Sequence, residues 1–263
     1  MDRNNRQSSD IPEPVAKDDE ESLAERLRVN GFVLLNDVIP LDLIREARDA
    51  FLPLLKEKVE RAANNRGKGR HHIVIPFTAP FNSPLLYANE RVLPIIRRVL
   101  GPDCAMGCYA SDTPLPGTDY QPIHRDEPGE LFPEAPGVVT PPYELTLNIP
   151  LQEVTEELAP MELWPGGTQW VPNPQRIEQV ASGMHSYKAT MRPGSVLLRE
   201  LRTWHRGTPN RGNEPRAMLA LAYTRPWFRY FHVEPVCVEE PVWEQLSESS
   251  RHLLRFSRMR RPN

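Results

Sequence analysis

His124-Arg125-Asp126, with His205 further along the chain and Arg216 beyond it, offers two imidazoles, one carboxylate and one guanidinium. A divalent ion held by two histidines and a carboxylate keeps coordination positions open, and this donor set suits a non-haem iron(II) centre for oxygen chemistry. A planar, permanently charged guanidinium grips a carboxylate at two points, so Arg216 is placed to hold a dicarboxylate. A His-x-Asp tripeptide alone arises easily by chance. The context of His205 carries more weight. RTWHRGTPNRGNEPR passes through a turn rich in Gly, Pro and Asn into the alternating stretch Arg216-Ala217-Met218-Leu219-Ala220-Leu221-Ala222-Tyr223. That pattern places His205 before a turn and Arg216 at the mouth of the next strand. Adjacent antiparallel strands would bring both side chains to one cavity.

Four segments occur in an order that resembles a known family: QPIHRDEP (121–128), LWPGGTQW (163–170), RPGSVLLRELRTWHRGTPN (192–210) and PRAMLALAYTRPWF (215–228). They resemble the phytanoyl-CoA dioxygenase family of iron(II)- and 2-oxoglutarate-dependent oxygenases, in particular members acting on small natural products. The likeness spans residues 22–256. It implies a mainly β fold, a double-stranded β-helix (jelly roll, cupin-like) with flanking α-helices. It also implies that His124, Asp126 and His205 bind iron, that Arg216 anchors the distal carboxylate of 2-oxoglutarate, and that Gln121 contacts that cosubstrate. Dioxygen is the second cosubstrate, and the expected reaction is oxidation of a small-molecule metabolite, hydroxylation first, with release of succinate and carbon dioxide. Related enzymes also desaturate, epimerise or close rings. Halogenases of this type give chloride the position that Asp126 fills here, so halogenation is not expected. Two positions depart from the pattern. Many relatives read PGSH where this chain has Pro165-Gly166-Gly167-Thr168, and Met161 stands where some carry a threonine against the cosubstrate. The other reading left open is a non-catalytic jelly-roll binding or regulatory protein that retains the metal ligands.

Bulk properties agree with one β domain. The chain has 263 residues, 39% hydrophobic and 25% charged, a size that single β barrels and sandwiches reach. Its 29 prolines are about twice the usual ~5% share and favour short strands joined by turns. A net charge of -3 with no dense basic stripe gives no support for nucleic-acid binding. Cys104, Cys108 and Cys237 form no C-x-x-C pair, so they read as reduced thiols rather than a disulfide or zinc framework. With neither a signal-like apolar stretch nor a membrane-spanning run, the expected setting is cytoplasmic, away from membranes. Nothing indicates an oligomeric state. Residues 1–21 read as a flexible charged tail, 22–257 as the oxygenase domain, and 258–263, with Arg258, Arg260 and Arg261, as a basic end.

Within the domain, Leu23 and Leu27 predict a short helix closed by Asn30-Gly31, followed by a strand over 32–36. Pro40 opens an amphipathic helix carrying Leu43, Ile44, Ala47, Phe51, Leu54, Leu55 and Val59, which Pro53 should kink or interrupt. The basic loop 64–70 precedes a strand in which His71 and His72 face opposite ways and so do not chelate one ion together. In YELTLNIPL (143–151), Tyr143, Leu145, Leu147 and Ile149 share a greasy face, while Glu144, Thr146 and Asn148 share a polar face suited to a cavity. A last helix is expected over 243–256, packing Leu246, Leu253, Leu254 and Phe256. For substrate recognition, Glu162, Asn148 and Glu144 offer partners to amino or hydroxyl groups, and Arg125 and Arg225 to a carboxylate or phosphate. Trp164, Trp170, Trp204 and Trp227 are candidate pocket walls.

Overall fold

Alternation along one segment sets the main wall of the molecule. In strand β4 (Glu144–Pro150) the apolar residues Leu145, Leu147 and Ile149 pack into the largest hydrophobic core, and Glu144, Thr146 and Asn148 turn to a cavity on the other side. The computed structural model describes residues 19–61, 67–126, 131–132, 134, 138, 140–166, 176–229 and 234–261. Strand β9 (Met218–Thr224) lies antiparallel to β4 with Asn148 opposite Ala220 and Thr146 opposite Ala222. The predicted small-residue face of β9 therefore lines the same cavity. Strands β3 (Ala105–Pro114) and β2 (Arg70–Val74) extend the sheet beyond β9. On the other side of β4 lie β7 (Val196–Glu200) and β1 (Phe32–Leu35), so that six antiparallel strands run in the order β1-β7-β4-β9-β3-β2. A second antiparallel sheet has β5 (Met161–Trp164) between β6 (Tyr187–Ala189) and β8 (Trp204–Gly207). Phe32, Leu197 and Met218 from the large sheet pack with Met161, Leu163 and Ala189 from the small one, joining the two across the interior.

Helices cover the outer face of the large sheet. α1 (Glu20–Asn30) starts where the Asp19 carboxylate accepts the Ser22 N–H and stops where Gly31 adopts φ 86°, the left-handed ending expected of glycine. α2 (Leu41–Glu60) buries Ile44, Ala47, Phe51 and Leu55. Together with α3 (Pro84–Tyr87) and α4 (Leu93–Leu100), these helices close the main core over Leu145, Leu147, Leu219 and Leu221. Each such buried aliphatic side chain contributes about 1.5–3 kcal/mol. A short α5 (Ile177–Ala181) backs the small sheet. Near the C-terminus α6 (Glu240–Gln245) and α7 (Glu248–Leu253) accompany a parallel pair of β10 (Cys237–Glu239) and β11 (Arg258–Arg260). No helix among the described residues is long and apolar enough to cross a membrane.

Four expectations change. α2 runs unbroken through Pro53, because both the proline and Asp49, whose carbonyl it leaves without a helical partner, lie on the exposed side where water serves instead. The single C-terminal helix is two, since Leu246 is extended and Ser247 caps α7 by accepting from the Ser250 N–H. Arg258 and Arg260 belong to a strand rather than a loose end. His205 and Arg216 do not lie on neighbouring strands of one sheet: β8 and β9 belong to different sheets, joined by the 208–217 connection. Residues 1–18 of the expected tail and 64–66 of the basic loop lie outside the described residues.

The turn before β7 is a sensitive point. Gly194 has φ 85°, its carbonyl accepts the N–H groups of Val38 and Ile39, and an added Cβ would stand 2.8 Å from the Ile39 carbonyl oxygen. Gly194→Ala is expected to destabilise the protein by about 1–3 kcal/mol, read as a lower urea midpoint with an unchanged slope.

Candidate metal centre

His124 and His205 are paired through the backbone. Each donates its N–H to the other's carbonyl, both at 2.9 Å, as directly opposed antiparallel residues do, and their rings stand 4.4 Å apart. The pairing is one of three backbone-to-backbone attachments of segment 121–126 among the described residues. Gln121 N–H reaches the Gly207 carbonyl at 3.0 Å and Asp126 N–H the Leu201 carbonyl at 3.2 Å. One residue, Arg125, separates His124 from Asp126, so in extended backbone their side chains leave on the same side.

Each ring is also oriented by its own chain. His124 Nδ1 lies 2.9 Å from the Pro122 carbonyl and His205 Nδ1 2.8 Å from the Thr203 carbonyl. A carbonyl only accepts, so the proton sits on Nδ1 and each Nε2 keeps its lone pair for a metal. Those two Nε2 atoms lie 3.7 and 3.6 Å from the carboxylate oxygens of Asp126, and one ligand atom from each of the three residues falls within 4.8 Å of the others. Two ligand atoms about 2.1 Å from one ion are separated by at most about 4.2 Å, so the carboxylate and either imidazole can share an ion. Two neutral nitrogens and one carboxylate fit iron(II).

The electrostatics keep these groups in ligand form. Burial alone would push the Asp126 carboxyl up, but the Arg199 guanidinium 2.6 Å away and the two imidazoles hold it well below the usual carboxylate range. Burial, reinforced by the Arg199 charge, lowers His205 to about 3, so it stays neutral. Glu144, on the wall past Asp126, is pushed well above the ordinary value by burial and by the Asp126 charge.

A cavity of about 260 Å³ holds this centre between the sheets. Arg216 stands at one end, buried, with Nε on the Ala159 carbonyl at 3.2 Å and Nη1 on the Asp112 carbonyl at 3.1 Å. Arg70 is beside it, its Nη2 held by the carbonyls of Asp119 at 2.6 Å and Thr208 at 2.9 Å. Burial and the neighbouring Arg70 charge lower Arg216 to about 10, still charged at neutral pH. These hydrogen bonds end on carbonyls, which orient a guanidinium without cancelling its charge. Gln121 also lines the cavity and accepts the Gly207 N–H at 2.9 Å.

The structure thus brings together His124, Asp126, His205, Arg216, Gln121 and Asn148, the last accepting from Arg199 Nε at 3.3 Å. It does not bring in Glu162, Trp164 or Trp204. These sit on the outer face of the small sheet, because Met161 takes the inward position and alternation sends its neighbour outward. Glu162 is paired there with Arg206 and Ser186, both at 2.7 Å, while Trp164 and Trp204 pack with Ile177 and Ala181 of α5. Arg125, half-buried between two inward residues, is not a cavity wall. Arg225 is spent on the Pro142 and Val99 carbonyls. Trp227 is largely exposed against Tyr143, and Gly167, Thr168 and Trp170 lie outside the described residues. None of the three cysteines forms a disulfide, and His71 and His72 take no part in the metal cluster found among the described residues.

Sequence reasoning missed Arg199 and Arg70. Arg199 had a signal, being a charged residue inside the apolar run VLLRE, where burial demands a partner of opposite charge. Arg70 ended a basic loop and looked like a solvated charge.

A family model described as phytanoyl-CoA dioxygenase (PhyH) matches residues 27–218. Among solved structures, AviO1 from Streptomyces viridochromogenes Tue57 is similar at 20% identity and a TM-score of 0.64, over 82% of this chain and 99% of that one. SnoN, a non-heme alpha ketoglutarate dependent epimerase from nogalamycin biosynthesis, matches at 18% identity and 0.60, over 81% and 84%. SnoK, a carbocyclase from the same biosynthesis, matches at 19% identity and 0.58, over 78% and 83%. At these identities the likeness bears on the fold, an antiparallel sheet assembly with flanking helices. With the family match over most of its length and the His-Asp-His cluster in place, the chain belongs to the phytanoyl-CoA dioxygenase family of enzymes, whose cofactors are non-haem iron and 2-oxoglutarate.

Proposed function

We propose that this chain is an oxygenase that hydroxylates a small natural-product-type metabolite, with His124, Asp126 and His205 holding iron and Arg216 holding the far carboxylate of 2-oxoglutarate. The observation that carries the reading is the cavity's polarity. Two imidazoles with Nδ1 turned to carbonyls and one carboxylate, close enough to share an ion, stand in one pocket with a buried guanidinium. Iron(II) with 2-oxoglutarate and dioxygen supplies the oxidising power, the keto acid leaving as succinate and carbon dioxide. We also read the two facing sheets as the halves of a double-stranded β-helix.

Each remaining part is a property of the chain. Arg216, oriented by backbone carbonyls, offers its fork to a carboxylate, and Arg70 adds a second positive charge beside it. Gln121 closes the same end. Strand register puts Ala220 and Ala222 past Arg216, opposite Asn148 and Thr146, which leaves volume beside the centre. Beyond them Glu144, Leu201 and Cys108 form the far end of the cavity, where the metabolite would bind. Asp126 occupies the carboxylate position, which argues for oxygenation over chloride transfer. The epimerase and carbocyclase activities of the neighbours named above keep other outcomes within reach of this fold.

The test uses anaerobic iron(II) and 2-oxoglutarate. The wild-type protein is expected to develop the weak visible charge-transfer band of a chelated keto acid and to form succinate when air is admitted. His205→Ala should abolish both, and normal succinate formation by that variant would remove His205 from the metal site. Arg216→Lys keeps the charge but loses the two-point contact, so the 2-oxoglutarate concentration giving half the band should rise about 10-fold. An unchanged value would make Arg216 a structural charge.

Gly207 gives an independent probe of the same end. A Cβ there would lie 2.5 Å from Arg70 Nη1 and 2.6 Å from Gln121 Oε1. Gly207→Ala should therefore push both side chains aside and weaken 2-oxoglutarate binding while leaving iron binding in place. Titration of the band with each ligand separates the two effects.

A further inference from the structure

Arg199 is a buried charge with one strong partner. It stands on β7 opposite Thr146 of β4, 5% exposed, with Nη2 2.6 Å from Asp126 Oδ2 and Nε 3.3 Å from Asn148 Oδ1. Its Nη1 is buried with no hydrogen-bond partner. An unsatisfied buried N–H is costly, and the rest of β7, Val196, Leu197 and Leu198, is apolar. Its contact with Asp126 is what sets it apart from a packing residue.

A carboxylate can offer a metal one oxygen or two. Oδ1 of Asp126 lies 3.7 Å from His124 Nε2 and Oδ2 lies 3.6 Å from His205 Nε2, so both oxygens stand within reach of an ion shared with the imidazoles. Only Oδ2 is engaged by the guanidinium, through a short, charge-assisted hydrogen bond. The guanidinium also matches the carboxylate charge, so the positive charge of a bound divalent ion is left for an incoming dianion. We propose that Arg199 is a positioning residue that reserves Oδ2 of Asp126, so that this carboxylate meets a metal through Oδ1 alone. This rests on the reading of His124, Asp126 and His205 as metal ligands. Its consequence concerns vacancy: the keto acid of 2-oxoglutarate needs two coordination positions and a third must stay open, whereas a two-oxygen Asp126 would take one of them.

Manganese(II) is a suitable probe because water-proton relaxation reports the exchangeable waters on the bound ion, and the electron paramagnetic resonance signal of the free ion scores binding. The readout needs no turnover. A six-coordinate ion with one atom from each of three protein ligands keeps three waters, and a second Asp126 oxygen would displace one, so Arg199→Met should lose about a third of the bound-ion relaxivity. Arg199→Lys still donates to Oδ2 and should keep most of it. Wild-type relaxivity in the Arg199→Met complex would overturn the proposal. If that variant does not fold, Arg199→Ala, which removes the donor to Oδ2 without filling the cavity, is read in its place: a fall supports the proposal and an unchanged value overturns it. His205→Ala should weaken manganese binding at least 10-fold, the scale of even outer-sphere changes. If it does not, the assignment of the metal site fails, whatever Arg199 does.

Discussion

The reciprocal backbone pairing of His124 and His205 is the constraint on which the site depends. Two imidazoles that must converge on one point come from positions far apart in sequence, and side-chain forces alone would leave their separation loose. Two backbone hydrogen bonds fix the facing Cα atoms, and the Pro122 and Thr203 carbonyls then fix the rings. Because the pairing also ties segment 121–126 to β8, Asp126 and Gln121 inherit their positions from it, one toward Leu201 and the other toward Gly207.

The second organising force is the cost of burying charge. Arg199, Arg70 and Arg216 are all nearly inaccessible, yet they are treated differently. Arg199 is matched by a carboxylate, which makes the metal end internally balanced. The hydrogen bonds described for Arg216 and Arg70 go to carbonyls and a thioether, which satisfy N–H groups, and the charge is offset only in part by the nearby Asp112 carboxylate and, for Arg70, by Asp119. Part of this arrangement comes from Ala159, whose φ of 47° is unusual for a residue with a Cβ and whose carbonyl faces Arg216 Nε. Fold stability is traded locally for a positively charged end of the cavity, the end proposed above to take the far carboxylate of 2-oxoglutarate.

Much of this was legible in the residues, and what was not has a physical reason. The polar face of β4 and the small face of β9 followed from period-two alternation, because each strand has a helix-packed side that apolar residues must fill. Glu162, Trp164 and Trp204 went astray for the converse reason. MELW has an apolar residue on both faces, and parity was settled only when Met161 met Leu197 and Met218 across the interior. The partnership of β8 with β5 rather than β9 is a long-range choice that no local pattern encodes. Pro53 is a helix breaker only where its unpaired carbonyl is denied water. Arg199 was visible as a charge in an apolar strand, but its partner, Asp126, lay 73 residues away.

The placement of these parts also says where reaction outcome can vary. The metal ligands and the arginine end are fixed by backbone pairing of segment 121–126 with β8, by the 208–217 connection and by the start of β9. The far end is built differently. Glu144, Leu201 and Cys108 come from three separate strands or their ends, and Leu201 belongs to the satellite cluster with Tyr143 and Phe228. A substitution of the Glu144 or Cys108 side chain would alter the shape of that end without removing one of the three cluster residues or an arginine, whereas Leu201 also supplies the carbonyl that holds the Asp126 N–H. SnoN and SnoK share this fold and are named as an epimerase and a carbocyclase, and in this chain the far end of the cavity carries one buried carboxyl, Glu144, beside Leu201 and Cys108.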